Sequence, residues 1–296
     1  MKWYFRRLEG NNKDISSVWR ALNTFTTGTN SRQREIPHHF TADAFNDYFL
    51  SIAETLVKSQ DSPDSNKHYS CSKRLADFCQ QKAKRTDPFT IPLMAVHEMG
   101  KYISGMNNKK SSRPDEISSQ LLKLASPYIA GSLTYILNLY IEQDVFPSEF
   151  QKAKVIPLAK TRDYKNLNDY RPMSLLSVLS KLLERHVNKH LVTCLETLDL
   201  FHPLQSGFRR KHSCNTALAR LTDSWLSTIN RSDLSGDVFV DLRKAFDLVD
   251  HRIALSKLSV YLNSSKSLPF FFCSYLKNRV QRVFIRDSYS SEGTVK

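Results

Sequence analysis

One segment leaves the chain little freedom. SVLSKLLERHVNKHLVTCLETL, residues 177–198, places Leu179, Leu182, Leu183, Val187 and Leu191 on one face of a helix. A helix with a continuous apolar face must be covered by another layer, so the chain needs a packed core with helices in it. The elements around this segment follow no regular alternation. DISSVWRALNTF (14–25) and FTADAFNDYFLSIAETL (40–56) read as helices, the second N-capped by Thr41, with the turn-rich TTGTNSRQREIPHH as a loop between them. FTIPLMAVHEMGKYISGM leads into a helix ending near Gly105. In KKSSRPDEISSQLLKLASPYIAGSLTYILNLYIEQDVFP, Asp115 is the expected N-cap and Pro127 is expected to break one helix from the next. Leu133, Ile136, Leu137, Tyr140 and Ile141 then keep helical spacing. AKVIPLAK is too short for a helix and carries Pro157, so it reads as an edge strand. Residues 215–229 predict a helix, and VQRVFIR at 280–286 predicts the first arm of a hairpin. This mixed order points to an α+β fold rather than a doubly wound sheet.

Forty-three Lys and Arg against twenty-nine Asp and Glu leave a net charge of +14. Such an excess calls for a polyanionic partner, and nucleic acid fits better than a membrane surface, because no apolar run approaches the length of a spanning helix. The N-terminus MKWYFRRLEG lacks the apolar centre of a signal peptide. Cys71, Cys79, Cys194, Cys214 and Cys273 form no C-x-x-C pair, which fits reduced thiols inside a cell and gives no support to cysteine-bound zinc. The polar stretch SQDSPDSNKHYSCSK (59–73) has the composition of a linker, and a domain boundary is expected near residue 88, between a helical connector (1–88) and the rest (89–296).

Chemistry concentrates in three places. GDVFVDLRKAFDLVDH (236–251) alternates Val238, Val240 and Leu242 as a short buried strand, and Phe246 and Val249 read as a helix starting near Arg243. Asp241 then lies at a strand end, where a rigid element would hold a carboxylate for a hard cation. IPLAKTRDYKNLNDYRPMSLL gathers Lys160, Arg162, Lys165 and Arg171 around a strand and a turn, either to grip phosphates or as a solvated loop. QSGFRRKHSCNTAL joins Phe208 to Arg209, Arg210 and Lys211, either to stack on bases and hold phosphate or as a basic loop around one buried Phe. His186, His190 and Cys194 lie four apart on one helix face. Their setting among Lys181, Arg185 and Lys189 favours an ordinary helix face over a metal site.

Taken in order, KSSRPDEISSQLLK, VFPSEFQKAKVIPLAK, DYRPMSLLSVLSKLLER, QSGFRRKHSCNTALARLTDSWL, DVFVDLRKAFDLVDH and FFCSYLKNRVQRVFI resemble the successive blocks of the reverse transcriptase of non-LTR (LINE-type, jockey-like) retrotransposons. The resemblance runs from about Phe89 onward. YFRRLEGNNKDISSVWRALN and TADAFNDYFLSIA are similar to the connector that in these elements precedes the polymerase. The resemblance implies a right-hand polymerase fold, here fingers plus an incomplete palm behind a helical N-terminal connector. It implies an RNA template, a DNA primer and a deoxynucleoside triphosphate (dNTP) as partners, Mg²⁺ as cofactor, and an intracellular setting, with the nucleus expected because such elements copy themselves at chromosomal DNA.

By position, Asp241 matches the first catalytic aspartate of the palm, a ligand of both divalent cations. Phe246 matches the aromatic gate beneath the sugar, and Leu242 falls where the family's backbone holds the triphosphate and metal. Arg171 and Lys160 match the fingers cations that clamp the triphosphate. Gln205, Gly207, Phe208, Arg209 and Arg210 match a segment laid along template and primer. Asp247 and Asp250 are expected to serve helix geometry, and Asp237 to be a loop charge. Two departures stand out. Arg113 and Glu116 occupy positions where the family has glycine, and the chain reaches SSEGTVK without the family's G-x-P-Q-G block or the x-x-D-D hairpin carrying the other catalytic carboxylates. A pair of Mg²⁺ ions needs more than one carboxylate. The expectation is therefore a chain that makes no DNA by itself and leaves apolar surface uncovered. The alternatives are a nucleic-acid-binding remnant without catalysis and an incomplete gene model.

Overall fold

The computed structural model describes residues 36–58, 77, 88–107, 115, 117–160, 164–242, 244–263 and 267–295. The helix expected over 14–25, the linker at 59–73, and Arg113, Glu116, Arg162 and Arg243 lie outside the described residues. Residues up to Phe40 group as one compact unit and Thr41–Lys296 as another.

In the second unit, helix α1 (Ala42–Lys58) precedes α2 (Val96–Ser104) and α3 (Ser119–Glu142). Strands β1 (Lys152–Ala159) and β2 (Tyr170–Leu175) are followed by α4 (Val178–Thr197), α5 (Cys214–Asn230), α6 (His251–Tyr261) and α7 (Ser267–Leu276), then β3 (Val280–Ile285), β4 (Ser288–Tyr289) and β5 (Gly293–Thr294). The α+β expectation is met. Thr41 caps α1 through its hydroxyl, which accepts the Ala44 N–H at 3.1 Å. The core forms where the buried faces of α2, α3, α4 and α7 meet, around Met99, Ile103, Leu122, Leu137, Leu182, Leu183 and Phe271.

Pro127 does not break α3. A proline inside a helix removes one hydrogen bond and costs about 3 kcal/mol. The helix persists because Leu122, before the proline, and Leu137 and Ile141, after it, are all buried in the same core. The N-cap is Ser118, whose hydroxyl accepts the Leu121 N–H at 3.0 Å, rather than Asp115. Asp115 instead accepts the Ile117 N–H at 3.3 Å and the Ser177 hydroxyl at 2.5 Å, joining the start of α3 to the start of α4.

β1 is central rather than an edge. It pairs antiparallel with β2 on one side and parallel with β3 on the other. Pro157 is tolerated because β3 pairs only with Lys152 to Val155, and on the β2 side Pro157 faces Pro172, so the two residues lacking an N–H oppose each other. The expected hairpin arm is present. β3 buries Gln281, Val283 and Ile285 in alternation and turns into β4 through Arg286 and Asp287, both at positive φ (46° and 60°), as a two-residue hairpin turn requires. α1 packs on this part of the sheet. Asn46 accepts a hydrogen bond from Gln281 at 3.1 Å, and Asp43 accepts the Ser291 N–H at 2.8 Å. The helix of the expected connector thus belongs to the same compact unit as the sheet.

The strand expected over 238–242 is absent, and so is a helix beginning at 243. Residues 235–242 take no regular structure, 244–248 are turns, and the next helix, α6, begins at His251. Alternation provides a strand with two faces but no partner. Here none pairs with it among the described residues, leaving Val238, Phe239 and Val240 at 89%, 78% and 78% exposure. Helix α5 forms as expected, capped by Ser213, yet Leu218, Leu226 and Ile229 on it are exposed.

Asp250 caps α6, its carboxylate accepting the N–H groups of Arg252 (2.8 Å) and Ile253 (3.3 Å). The Arg252 side chain above all, with these N–H groups, holds its carboxyl below the ordinary range. Asp250→Ala is expected to destabilise the fold by about 1 kcal/mol at neutral pH. Because the folded-state value is depressed, this contribution is present above the ordinary aspartate value and fades as pH falls through the folded one. Urea melts of both proteins at pH 7 and in acid should show the difference closing.

Candidate functional site

The β1–β2 hairpin places Arg171 opposite Leu158. Its turn is built by Asp169, whose carboxylate accepts the N–H groups of Asn166 and Lys165, both at 2.9 Å, and is thereby held below the ordinary carboxylate range. Lys160 is tied into the same turn. Its N–H donates to the Asp169 carbonyl at 2.8 Å and its ammonium to the Asn168 carbonyl. Arg171 is exposed and has no hydrogen-bond or ion-pair partner among the described residues. The strand pairing fixes the backbone that carries Arg171 and leaves its guanidinium in solvent, with Lys160 spent on the turn.

Residues 205–211 form a loop folded on itself. Gln205 donates to the Gly207 carbonyl at 3.2 Å, and Arg209 donates to the carbonyls of His202 (3.3 Å) and Gln205 (3.5 Å) with its guanidinium 5.2 Å from the Phe201 ring. Arg210 and Lys211 are exposed. Phe208 is no buried anchor. It is 87% exposed and sits at φ 59°, a left-handed conformation unusual for an aromatic residue. An exposed ring beside exposed cations can stack on a base while the cations meet phosphate.

The structure brings Phe208 and Phe246 together, edge to face at 5.9 Å, so the loop and the turn after Asp241 are neighbours. Lys244 in that turn lies 5.7 Å over the ring of Tyr48 on α1, and the Tyr48 hydroxyl donates to Asn168 in the hairpin turn at 2.9 Å. Asp241 and Leu242 stand outside these contacts, both exposed. Asp237, read as a loop charge, accepts the indole N–H of Trp225 on α5.

Residues 159–293 match the family model described as reverse transcriptase (RNA-dependent DNA polymerase). The chain is 30% identical over 203 residues to the probable RNA-directed DNA polymerase from transposon BS of Drosophila melanogaster, covering 68% of this chain and 22% of that protein. It carries a reverse transcriptase domain of the non-LTR retrotransposon type. The RNA-directed DNA polymerase from mobile element jockey of the same species is 28% identical over 220 residues, 72% of this chain and 24% of that protein. A retrovirus-related Pol polyprotein from a type-1 retrotransposable element R2 of Popillia japonica is 28% identical over 116 residues, 39% and 16%. The chain therefore spans about a quarter or less of these relatives' lengths. In this reverse transcriptase domain the matched span starts at the last residue of β1, ends in β5, and contains Lys160, Arg171, the 205–210 loop, Asp241, Leu242 and Phe246.

A two-metal centre needs several carboxylates converging on one point. Asp241 belongs to no group of three or more metal-capable side chains among the described residues, and the one such group is Glu98, His186 and His190. The described residues thus supply a candidate ligand for Mg²⁺ but do not by themselves fit a two-metal site. Tyr48 and Asn168, which bridge α1, hairpin and turn, were not marked by the sequence reading. They lie 120 positions apart and carry no local signal.

Proposed function

We propose that this chain supplies the fingers and part of the palm of an RNA-directed DNA polymerase, gripping an RNA template paired to a DNA primer and an incoming dNTP. The observation that carries the reading is the β1–β2 pairing that presents Arg171 to solvent, with Arg171 inside the span matched by the reverse transcriptase family. Arg171 would meet the triphosphate, with Lys160 bracing the turn behind it rather than binding directly. Phe208, Arg209 and Arg210 would lie along the duplex, and Phe246, packed on Phe208, would border the sugar. Asp241 would contribute one ligand to a Mg²⁺ ion, and Leu242 backbone beside it. Such work places the protein inside the cell at chromosomal DNA, hence in the nucleus. Among the described residues no helix is long and apolar enough to cross a membrane.

A second reading, binding without catalysis, is favoured because Asp241 joins no group of three or more metal-capable side chains among the described residues. On it, the 296-residue protein holds duplex and extends nothing. Both readings require phosphate contacts. Affinity for an RNA–DNA duplex, followed by fluorescence anisotropy, is expected to fall steeply with salt. Reversing Arg209 and Arg210 to Glu should reduce the log–log salt slope by about 2, roughly one for each lost phosphate contact. Salt-independent binding, or a slope unchanged by the reversals, would exclude both. Primer extension by the same protein would separate them.

A further inference from the structure

We infer that Glu98, His186 and His190 form a binding site for a transition-metal ion of the zinc class that clamps α2 to α4. His186 and His190 lie one turn apart on α4 with ring centroids 4.6 Å apart, and Glu98 meets them from the first turn of α2. One ligand atom from each residue lies within 4.8 Å of the other two. Around a tetrahedral zinc such atoms would stand about 3.3 Å apart. Glu98 is only partly buried, which gives its side chain room to adjust to such spacing.

The hydrogen bonds fix the chemistry of the rings. His186 Nε2 lies 2.7 Å from the Pro92 carbonyl, which can only accept, so Nε2 carries the hydrogen and Nδ1 keeps its lone pair. The Tyr102 hydroxyl reaches Nδ1 only at 3.4 Å, a long contact that an ion would replace. A ring N–H held by a backbone carbonyl is the arrangement that orients metal-bound histidines. His190 Nε2 is buried and has no hydrogen-bond partner among the described residues, a condition proteins avoid and a bound ion would relieve.

Lys189 is the obstacle. Its ammonium lies 2.7 Å from Glu98 Oε1 and would repel a cation. Glu98 Oε2 has only a long contact with the Ala95 N–H, 3.3 Å, and keeps a lone pair for the ion while Lys189 holds Oε1. Two imidazole nitrogens and one oxygen suit zinc, with a water in the fourth position, and do not suit Mg²⁺, which demands oxygen.

The test uses the full 296-residue protein freed of metal with a chelator and titrated with Zn²⁺ against a chromophoric competitor, with Co²⁺ as a second probe read by its visible absorption. One zinc per chain is expected, with His190→Ala and Glu98→Gln each weakening it at least about tenfold. Lys189→Met is expected to tighten it several-fold. His190 and Glu98 have no part in the proposed duplex contacts, so unchanged RNA–DNA affinity certifies that the variants fold. Absence of zinc binding, or equal affinity in wild type and His190→Ala, would overturn the site.

Discussion

In a polypeptide that contains these residues and extends a DNA primer on an RNA template, Asp241→Ala is expected to slow extension by at least about a hundredfold while leaving duplex affinity unchanged. The expectation rests on charge. A Mg²⁺ ion sheds water reluctantly and is held by very few carboxylates, so losing one empties or misplaces the site. Asp241 is exposed on an unpaired segment and makes none of the contacts that hold the surrounding loop and turn, so its loss should leave the fold intact. That separates it from Phe246, whose replacement would also disturb Phe208. Single-turnover extension with saturating duplex is the measurement. A rate within a few-fold of the parent would remove Asp241 from the metal site. The 296-residue protein alone should show equal duplex binding with and without the substitution.

The second large effect is structural. Phe45→Ala is expected to cost about 3–5 kcal/mol in urea unfolding, a sizeable part of a typical domain's stability. Phe45 is fully buried on α1, its ring 4.9 Å from that of Tyr170 and nearly perpendicular to it. Tyr170 opens β2, one residue before Arg171, so the cavity would lie directly beneath the mounting of the proposed triphosphate contact. Tyr48→Phe, which removes only the hydroxyl bonded to Asn168, should cost about 1 kcal/mol. If Phe45→Ala unfolds no more easily than Tyr48→Phe, α1 is a loosely held attachment and not a member of the sheet's core.

The zinc inference and the polymerase reading stand on different residues, and each can fail alone. Their separation also shows where metal chemistry was hidden. Histidines one turn apart were visible at once, but the sequence offered Cys194 as the third member. The structure supplies Glu98 from another helix, 88 positions before His186, with the Lys189 ammonium that argued against a cation paired to one of its oxygens.

What the sequence determined by itself was local or ordered along the chain. The cap of α1, the apolar face of α4 and the β3 hairpin arm follow from spacing that a short window reveals, and the order of blocks along the chain carried the resemblance to reverse transcriptases. What only the tertiary structure decided was partnership. Whether Pro127 breaks a helix depends on the core that Leu122, Leu137 and Ile141 reach together, and whether Pro157 sits on an edge depends on where β3 stops pairing. Whether Val238 to Leu242 become a strand depends on a neighbour to accept their hydrogen bonds, and periodicity carries no information about that neighbour. Side-chain period is a property of one segment. Burial and pairing are properties of two, and their free energy is assigned only when the chain brings the second one close.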